Sequence, residues 1–276
     1  MLSKFYVEDH VKSALMEDIG YGDITTENLA GENDFLKAEL NTRSEGILCG
    51  CDVFKTVYKI LSDYVKIKFY FKDGDKIKKG DKIADIEGPA KDLLMGERVS
   101  LNYIQRMSGI ATETRKYQDA IAPYNAKIVD TRKTTPNFRA FEKYSVKIGG
   151  GALHRFNLSD CAMIKDNHIK LAGSLTNAVN KLRQNISHAH KIEVECDTLE
   201  QVKEAVDAKA DIIMLDNMPV ETMKKAVDII NHQAIIEASG NVNLSTVNAI
   251  ASTGIDIISS SAIVAKAPTL DLALDM

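Results

Sequence analysis

The spacing of apolar and polar positions changes character near residue 127. Before it, residues 5 to 16 carry apolar side chains at helical intervals, which predicts an amphipathic helix, and a Gly-rich turn follows from Gly20 to Asp23. Runs such as Lys37-Ala-Glu-Leu-Asn-Thr and Val65-Lys-Ile-Lys-Phe-Tyr-Phe then alternate with period two, as half-buried strands do. The turn residues of Lys72-Asp-Gly-Asp-Lys and Lys79-Gly-Asp-Lys predict hairpins between short strands. A helical stretch from about Leu93 to Ser108 leads to Ser108-Gly109, which reads as the entry to a second domain.

From Lys127 onward short apolar strands alternate with amphipathic helices, the sequence pattern of βα units. Six strands are visible: Lys127-Ile-Val-Asp, Ala162-Met-Ile-Lys, Lys191-Ile-Glu-Val-Glu, Asp211-Ile-Ile-Met-Leu-Asp, Ala234-Ile-Ile-Glu-Ala-Ser and Ile255-Asp-Ile-Ile-Ser-Ser. Between the third and fourth, Leu199, Val202, Ala205 and Val206 share a helical face; between the fourth and fifth, Val220, Met223, Ala226, Val227 and Ile230 do. Pro219 suits a first helical turn, where its missing N–H has no intrahelical partner to lose. Each strand ends in residues a core would not select: Arg132 and Lys133, Lys165, Glu195, Asp216, Ser239, and Ser259 to Ser261. In a parallel barrel those ends converge on one face, where active sites form. Six strands are fewer than the eight of a complete barrel, so an open or partly closed one is expected.

With 276 residues, 45% hydrophobic and 27% charged, the chain can bury one large core or two modest ones. A net charge of −4 leaves no broad basic surface, so neither nucleic acid nor a membrane surface is an expected partner. The cysteines, Cys49, Cys51, Cys161 and Cys196, form no CxxC pair, and a reducing compartment suits them; Cys49-x-Cys51 reads as a pair on one strand. Charges recur through the N-terminal segment, and no apolar run approaches the roughly 20 residues that span a bilayer, so a cytoplasmic protein is expected.

The strand ends bring two chemistries together. Arg132, Lys133, His154, Arg155 and Lys165 form a cationic cluster, and Glu195 and Asp216 are carboxylates on adjacent strands. So many cations imply a substrate with several negative charges. The carboxylates would hold a divalent metal on a phosphate, bind ribose hydroxyls or favour a positively charged transition state. Gly149-Gly150-Gly151 is either a flexible link or a place where backbone approaches an anion, and His168 either a buried hydrogen-bonding residue or a substrate contact. The glycines make no GxGxxG fingerprint, so neither NAD nor FAD is expected, and neither a Ser/His/Asp triad nor an HExxH motif is apparent.

A set of ordered motifs resembles one family. They are Glu17-Asp18-Ile19-Gly20-Tyr21-Gly22-Asp23-Ile24-Thr25-Thr26, Glu97-Arg98-Val99-Ser100-Leu101-Asn102 with Ser108-Gly109-Ile110-Ala111-Thr112, and Asp130-Thr131-Arg132-Lys133-Thr134-Thr135-Pro136. Gly149-Gly150-Gly151 with His154-Arg155, Lys165-Asp166-Asn167-His168, Glu193-Val194-Glu195, Leu215-Asp216-Asn217 and Glu237-Ala238-Ser239-Gly240-Asn241 continue the match. Together they resemble nicotinate-nucleotide pyrophosphorylase (carboxylating), or quinolinate phosphoribosyltransferase, over nearly the whole chain.

The resemblance implies an α/β protein: an N-terminal α/β sandwich over 1–108 and an incomplete α/β barrel over 109–265, with a tail of about 266–276 packed back on the first domain. It implies a pentosyltransferase that joins quinolinate to 5-phosphoribosyl-1-pyrophosphate, releasing pyrophosphate and carbon dioxide and giving nicotinate mononucleotide for NAD biosynthesis. It also implies a homodimer or higher oligomer with shared active sites, magnesium entering with the phosphoribosyl substrate, and no organic cofactor.

By the same resemblance Thr131, Arg132, His154, Arg155 and Lys165 hold quinolinate, with Arg98 of the partner subunit, and Lys133 lies between quinolinate and the pyrophosphate. Glu195 and Asp216, with Lys133 and Lys165, serve catalysis, and the two carboxylates help place ribose and magnesium. Ser239, Gly240 and Asn241, with Ser260, Ser261 and Ala262, take the phosphates. One stretch departs from the family pattern: Ser261 stands where a glycine is usual and Ala265 where a histidine is, so either Lys266 supplies part of the missing charge or the phosphoribosyl substrate binds more weakly. The alternatives are a sister activity on nicotinate, a homologue associated with molybdenum transport, an inert homologue, and, for Val65 to Gly88 alone, a biotinyl-like carrier.

Overall fold

The computed structural model describes residues 2–276. In chain order the first elements are α1 (Lys4–Ile19), α2 (Ile24–Leu29), β1 (Phe35–Thr42), β2 (Gly46–Ile47), α3 (Cys51–Leu61), β3 (Lys66–Phe69), β4 (Lys76–Ile77), β5 (Lys82–Pro89) and α4 (Ala90–Ala120). There follow β6 (Lys127–Val129), α5 (Arg139–Ile148), β7 (Ala162–Ile164), α6 (Asp166–Ala172), α7 (Leu175–Asn185), β8 (Ile192–Cys196), α8 (Leu199–Asp207) and β9 (Ile212–Asp216). The chain ends with α9 (Val220–Ile230), β10 (Ile235–Ser239), α10 (Val247–Ala251), β11 (Ile257–Ser259), α11 (Ala262–Ala265) and β12 (Leu272–Asp275). It divides into two compact units: Met1–Arg115 with Pro136–Gly150 and Ala267–Met276, and Lys116–Thr135 with Gly151–Lys266.

The first unit is built on an antiparallel sheet of order β12-β1-β5-β3, so the C-terminal strand pairs with β1, Leu40 opposite Leu274. Alternation in β1 buries Ala38, Leu40 and Thr42 and exposes Phe35, Lys37 and Glu39. The buried face meets Phe54 and Tyr58 of α3 and Leu101 and Ile104 of α4. Across α3 a second cluster gathers Val7, Val11 and Leu15, four residues apart on α1, with Val53, Val57, Tyr103 and Phe141. Asp23 of the Gly-Asp-Ile-Thr-Thr motif is an N-cap, accepting from the Thr25 and Thr26 N–H groups of α2 at 3.0 Å each.

Several features of this unit differ from the sequence reading. The turn at Lys72–Lys76 does not join a hairpin: β3 pairs with β5, and β4 pairs with β2. The reason is Asp73, whose Oδ1 accepts from the Gly50 and Cys51 N–H groups at the start of α3, so the turn is docked there. Cys49 and Cys51 do not share a strand; Cys49 precedes α3 and Cys51 opens it. At Ser108-Gly109 the chain stays helical, because α4 runs unbroken through it. A Cβ at Gly109 would lie 1.9 Å from the Pro268 carbonyl oxygen, so this glycine admits the returning tail against the helix. Residues Pro136–Gly150, including α5, also belong to the first unit.

In the second unit six parallel strands lie in the order β6-β11-β10-β9-β8-β7. That is the cyclic order of a barrel with one pairing missing, between β6 and β7; the Val129–Ala152 bridge extends the β6 edge. The fold is thus an α/β protein whose second unit is an incomplete barrel. All six strands fall where the sequence places them. Their central residues, among them Val194, Ile213, Leu215, Ile236 and Ile258, are buried, and Val202, Ala205, Met223, Ala226 and Ile230 of the flanking helices are too. Pro219 stands at the N-cap of α9, one residue before its first turn.

Candidate active site

At the C-terminal ends of these strands lies a cavity of about 750 Å³. Thr131, Arg132 and Lys133, after β6, line it in a turn closed by the Lys133 N–H on Thr131 Oγ1 at 3.0 Å. His154 and Arg155 enter from the segment before β7, with Lys165 at the end of that strand. Glu195 and Asp216, from β8 and β9, face the cavity beside them. Ser239, Gly240 and Asn241, after β10, and Ser260, Ser261 and Ala262, after β11, complete the wall. Every residue predicted for the site lines this cavity except Arg98, which is exposed on α4.

Several of these side chains are already held. The Arg155 guanidinium donates to the Cys161 carbonyl at 3.0 Å and to Met163 Sδ at 3.2 Å, which orients its remaining donors. Lys165 Nζ is ion-paired with Glu195 Oε2, a contact across the boundary between the cationic and acidic walls. Asp130, fully buried at the end of β6, accepts from the His154 N–H at 2.9 Å and so anchors the backbone that presents the imidazole.

Beneath the imidazole lie two carboxylates that charge arithmetic alone did not pick out. Glu193 and Glu237, 1% and 2% exposed, approach His154 Nε2 at 3.5 and 3.3 Å. Burial lowers the His154 pKa, but the bonds to Glu193 and Glu237 outweigh burial and push it up to about 10. The Arg155 N–H, 2.7 Å from Nδ1, opposes a second proton there. The two carboxylates lie on the Nε2 side and favour the protonated ring there. Burial also raises the Glu193 pKa, helped by the charge of Glu237. One ligand-type atom from each of the three residues falls within 4.8 Å of the others, a grouping that the ion pairs explain without a metal. The signal for Glu237 was in the sequence: a glutamate at the centre of an otherwise apolar strand.

Other residues behave differently from the sequence reading. His168 neither lines the cavity nor is buried; its Nδ1 accepts from the Lys165 N–H at 2.9 Å, closing the first turn of α6. Gly149 lies against α4: a Cβ there would lie 2.5 Å from the Ala111 carbonyl oxygen, so it lets α5 pack on that helix. None of Gly149, Gly150 and Gly151 lines the cavity. Met163, Met214, Asn217, Glu237 and Val242 line it unpredicted, Ser259 lines it as a polar strand end, and Lys266 lines it while Ala265 does not.

A cavity at the strand ends of an α/β barrel, lined by six basic side chains and three carboxylates, defines an enzyme site for a polyanionic substrate. The chain belongs to the quinolinate phosphoribosyl transferase family: the N-terminal domain of that family matches residues 23–108 and the C-terminal domain residues 110–275. It is 44% identical over 261 residues to a probable nicotinate-nucleotide pyrophosphorylase [carboxylating] of Bacillus subtilis, covering 95% of this chain and 90% of that protein. A protein of the same description from Synechocystis is 43% identical over 98% of this chain and 92% of its own. The crystal structure of NadC from Streptococcus pyogenes superimposes with a TM-score of 0.97 at 39% identity, covering 100% of this chain and 98% of that one.

Proposed function

We propose that this protein transfers the phosphoribosyl group of 5-phosphoribosyl-1-pyrophosphate to the ring nitrogen of quinolinate, with loss of pyrophosphate and carbon dioxide, to give nicotinate mononucleotide in NAD biosynthesis. The observation that carries this reading is the pairing of Arg132, His154, Arg155 and Lys165 with Glu195 and Asp216 in one cavity. Four cations suit a dicarboxylate, and two carboxylates suit a positively charged ribosyl centre. The names of the relatives agree.

The chemistry follows from charge. The pyridine nitrogen forms a bond to ribose C1 as the bond to pyrophosphate breaks, and the positive charge that builds on the sugar is favoured by Glu195 and Asp216. Lys133, in the turn beside Arg132, offsets the charge of the departing pyrophosphate. The ring nitrogen is then cationic, so the neighbouring C–carboxylate bond breaks with its electron pair left on the ring carbon, which takes up a proton as carbon dioxide leaves. Glu195 and Asp216, hard oxygen donors at neighbouring strand ends, suit a magnesium ion carried in on the pyrophosphate, where its charge would offset that of the leaving group. Ser239, Gly240, Asn241 and Ser260 to Ala262 take the 5′-phosphate, with Lys266 adding the charge that Ala265 does not supply.

The active unit on this reading is a homodimer or larger, with Arg98 of the partner subunit reaching the quinolinate end. Restored activity on mixing Arg98→Ala with Arg155→Ala protein supports it, and none despite subunit exchange counts against it. The protein acts in the cytoplasm, a compartment that suits four free cysteines; among the described residues no helix is long and apolar enough to cross a membrane. The deciding assay supplies magnesium, 5-phosphoribosyl-1-pyrophosphate and either quinolinate or nicotinate. Nicotinate mononucleotide and carbon dioxide from quinolinate are expected; product from nicotinate alone sinks the proposal.

A further inference from the structure

The end of β9 and the turn after β10 are tied together by one side chain to which no role in the site has been given. The Asn217 N–H donates to the Ser239 carbonyl at 2.9 Å, carrying the β9–β10 pairing one residue beyond Asp216 and Ser239. Its carboxamide Nδ2 donates to Asp216 Oδ2 at 2.8 Å, and its Oδ1 accepts from Asn241 Nδ2 at 3.0 Å. A carboxamide has a donor end and an acceptor end, so these two bonds fix which way it points. One oxygen of Asp216 is thereby held, and the other is left for a ligand.

The backbone is shaped around the same group. Asn217, Gly240 and Asn241 have φ of 52°, 91° and 50°, in the left-handed region that costs an ordinary residue about 1 kcal/mol or more. A Cβ at Gly240 would lie 2.2 Å from Asn217 Oδ1, so the turn closes over the Asn217 side chain. Beyond it, the Asn241 carbonyl accepts from Asn243 Nδ2 at 3.2 Å, which stiffens the path toward α10.

We propose that Asn217 is a positioning residue that sets the spacing between the Asp216 carboxylate and the Gly240–Asn241 turn, and through it the recognition of a ribose 5-phosphate unit. The inference rests on the reaction proposed above, in which the carboxylate lies at the ribose and the turn at its 5′-phosphate. Those two groups are joined within one small molecule by a few covalent bonds, which limit how far apart they can lie, so a ligand senses the separation of the residues that hold them. The quinolinate end, held by Arg132, His154, Arg155 and Lys165 on other segments, does not depend on it.

The test uses the intact protein and two ligands measured separately by calorimetry, ribose 5-phosphate and quinolinate, followed by KM for each substrate. Asn217→Gly keeps the left-handed backbone accessible and deletes the carboxamide. It is expected to weaken ribose 5-phosphate binding by roughly tenfold or more, as for a lost hydrogen bond to a charged group, with quinolinate binding changed by less than about twofold. Asn217→Asp, nearly the same size, sets a second carboxylate against Asp216 and is expected to weaken ribose 5-phosphate at least as much. Gly240→Ala is expected to cost less in the Asn217→Gly background than in the native one, because the group it collides with is gone. The inference is overturned if Asn217→Gly binds ribose 5-phosphate as the native protein does, if both ligands weaken together, if Gly240→Ala costs the same in both backgrounds, or if the native protein does not bind ribose 5-phosphate. Native protein that binds ribose 5-phosphate yet makes no nicotinate mononucleotide from quinolinate would refute the reaction alone, and the variants would still decide the role of Asn217.

Discussion

The two sheets treat charge in opposite ways. In the antiparallel sheet of the first unit, one face is solvated, and Glu39, Lys66, Lys82 and Glu87 stand on its strands in surface ion pairs. In the parallel sheet of the second unit β9 and β10 are buried along their middles, and polar residues occur only at their cavity ends or, as Glu237, beneath the cavity. A charge on a strand with a wet face needs no explanation, whereas one on a strand covered on both faces costs free energy that must be returned by a partner or a ligand. The same residue type therefore carries information in one sheet and almost none in the other.

That contrast can be broken from the largest effect downward. Phe54→Ala empties the core under the antiparallel sheet, where Phe54 is fully buried and packs edge-on to Phe69 at 5.7 Å. A loss of about 3–5 kcal/mol in urea unfolding is expected, with KM for quinolinate unchanged in the folded protein. Lys165→Ala does the reverse: kcat/KM for quinolinate should fall roughly 10²-fold, about 2.7 kcal/mol, while the unfolding midpoint stays within a few degrees. A fall in stability matching that of Phe54→Ala would remove the distinction.

His154 offers a sharper test, because its ionisation is tied to buried carboxylates. Its folded pKa of about 10 lies above the ordinary 6.5, so the proton stabilises the fold fully below about pH 6.5, and that contribution is lost as pH rises toward 10. Between pH 6.5 and 8.5 the unfolding constant should rise roughly tenfold or more through this residue, and His154→Gln should flatten the slope. An identical pH slope in both proteins would show that the imidazole is neutral. Lys266→Ala tests the altered phosphate wall: a rise of about three- to tenfold in KM for 5-phosphoribosyl-1-pyrophosphate is expected for one lost charge contact, and an unchanged KM means Lys266 does not compensate for Ala265. At the small end, Lys66→Ala breaks a 3.9 Å pair with Glu87 on the wet sheet face and should shift stability by about 0.5 kcal/mol or less.

Much of the second unit was legible because its strands are covered on both sides. Continuous apolar runs make Lys165, Glu195 and Asp216 conspicuous, and cyclic strand order converts conspicuous ends into one cavity. The first unit was less legible. Asp73 looks like any turn aspartate in sequence, yet it caps α3 twenty-odd residues earlier and so redirects β4 to β2. Nothing around Gly109 in sequence shows that it admits the returning tail near Pro268.

What can be read along the chain is therefore local: the six parallel strands, which of their ends are polar, and which family the ordered motifs indicate. These follow from periodicity and residue chemistry within a few positions along the chain. Tertiary structure decided what joins residues far apart: the pairing of β12 with β1, the return of α5 to the first unit, the two glutamates under His154, and the bond from Asn217 to Asn241. Each depends on a distance closed only when separate segments pack, and a side chain's neighbours across such a closure leave no periodic trace in the chain.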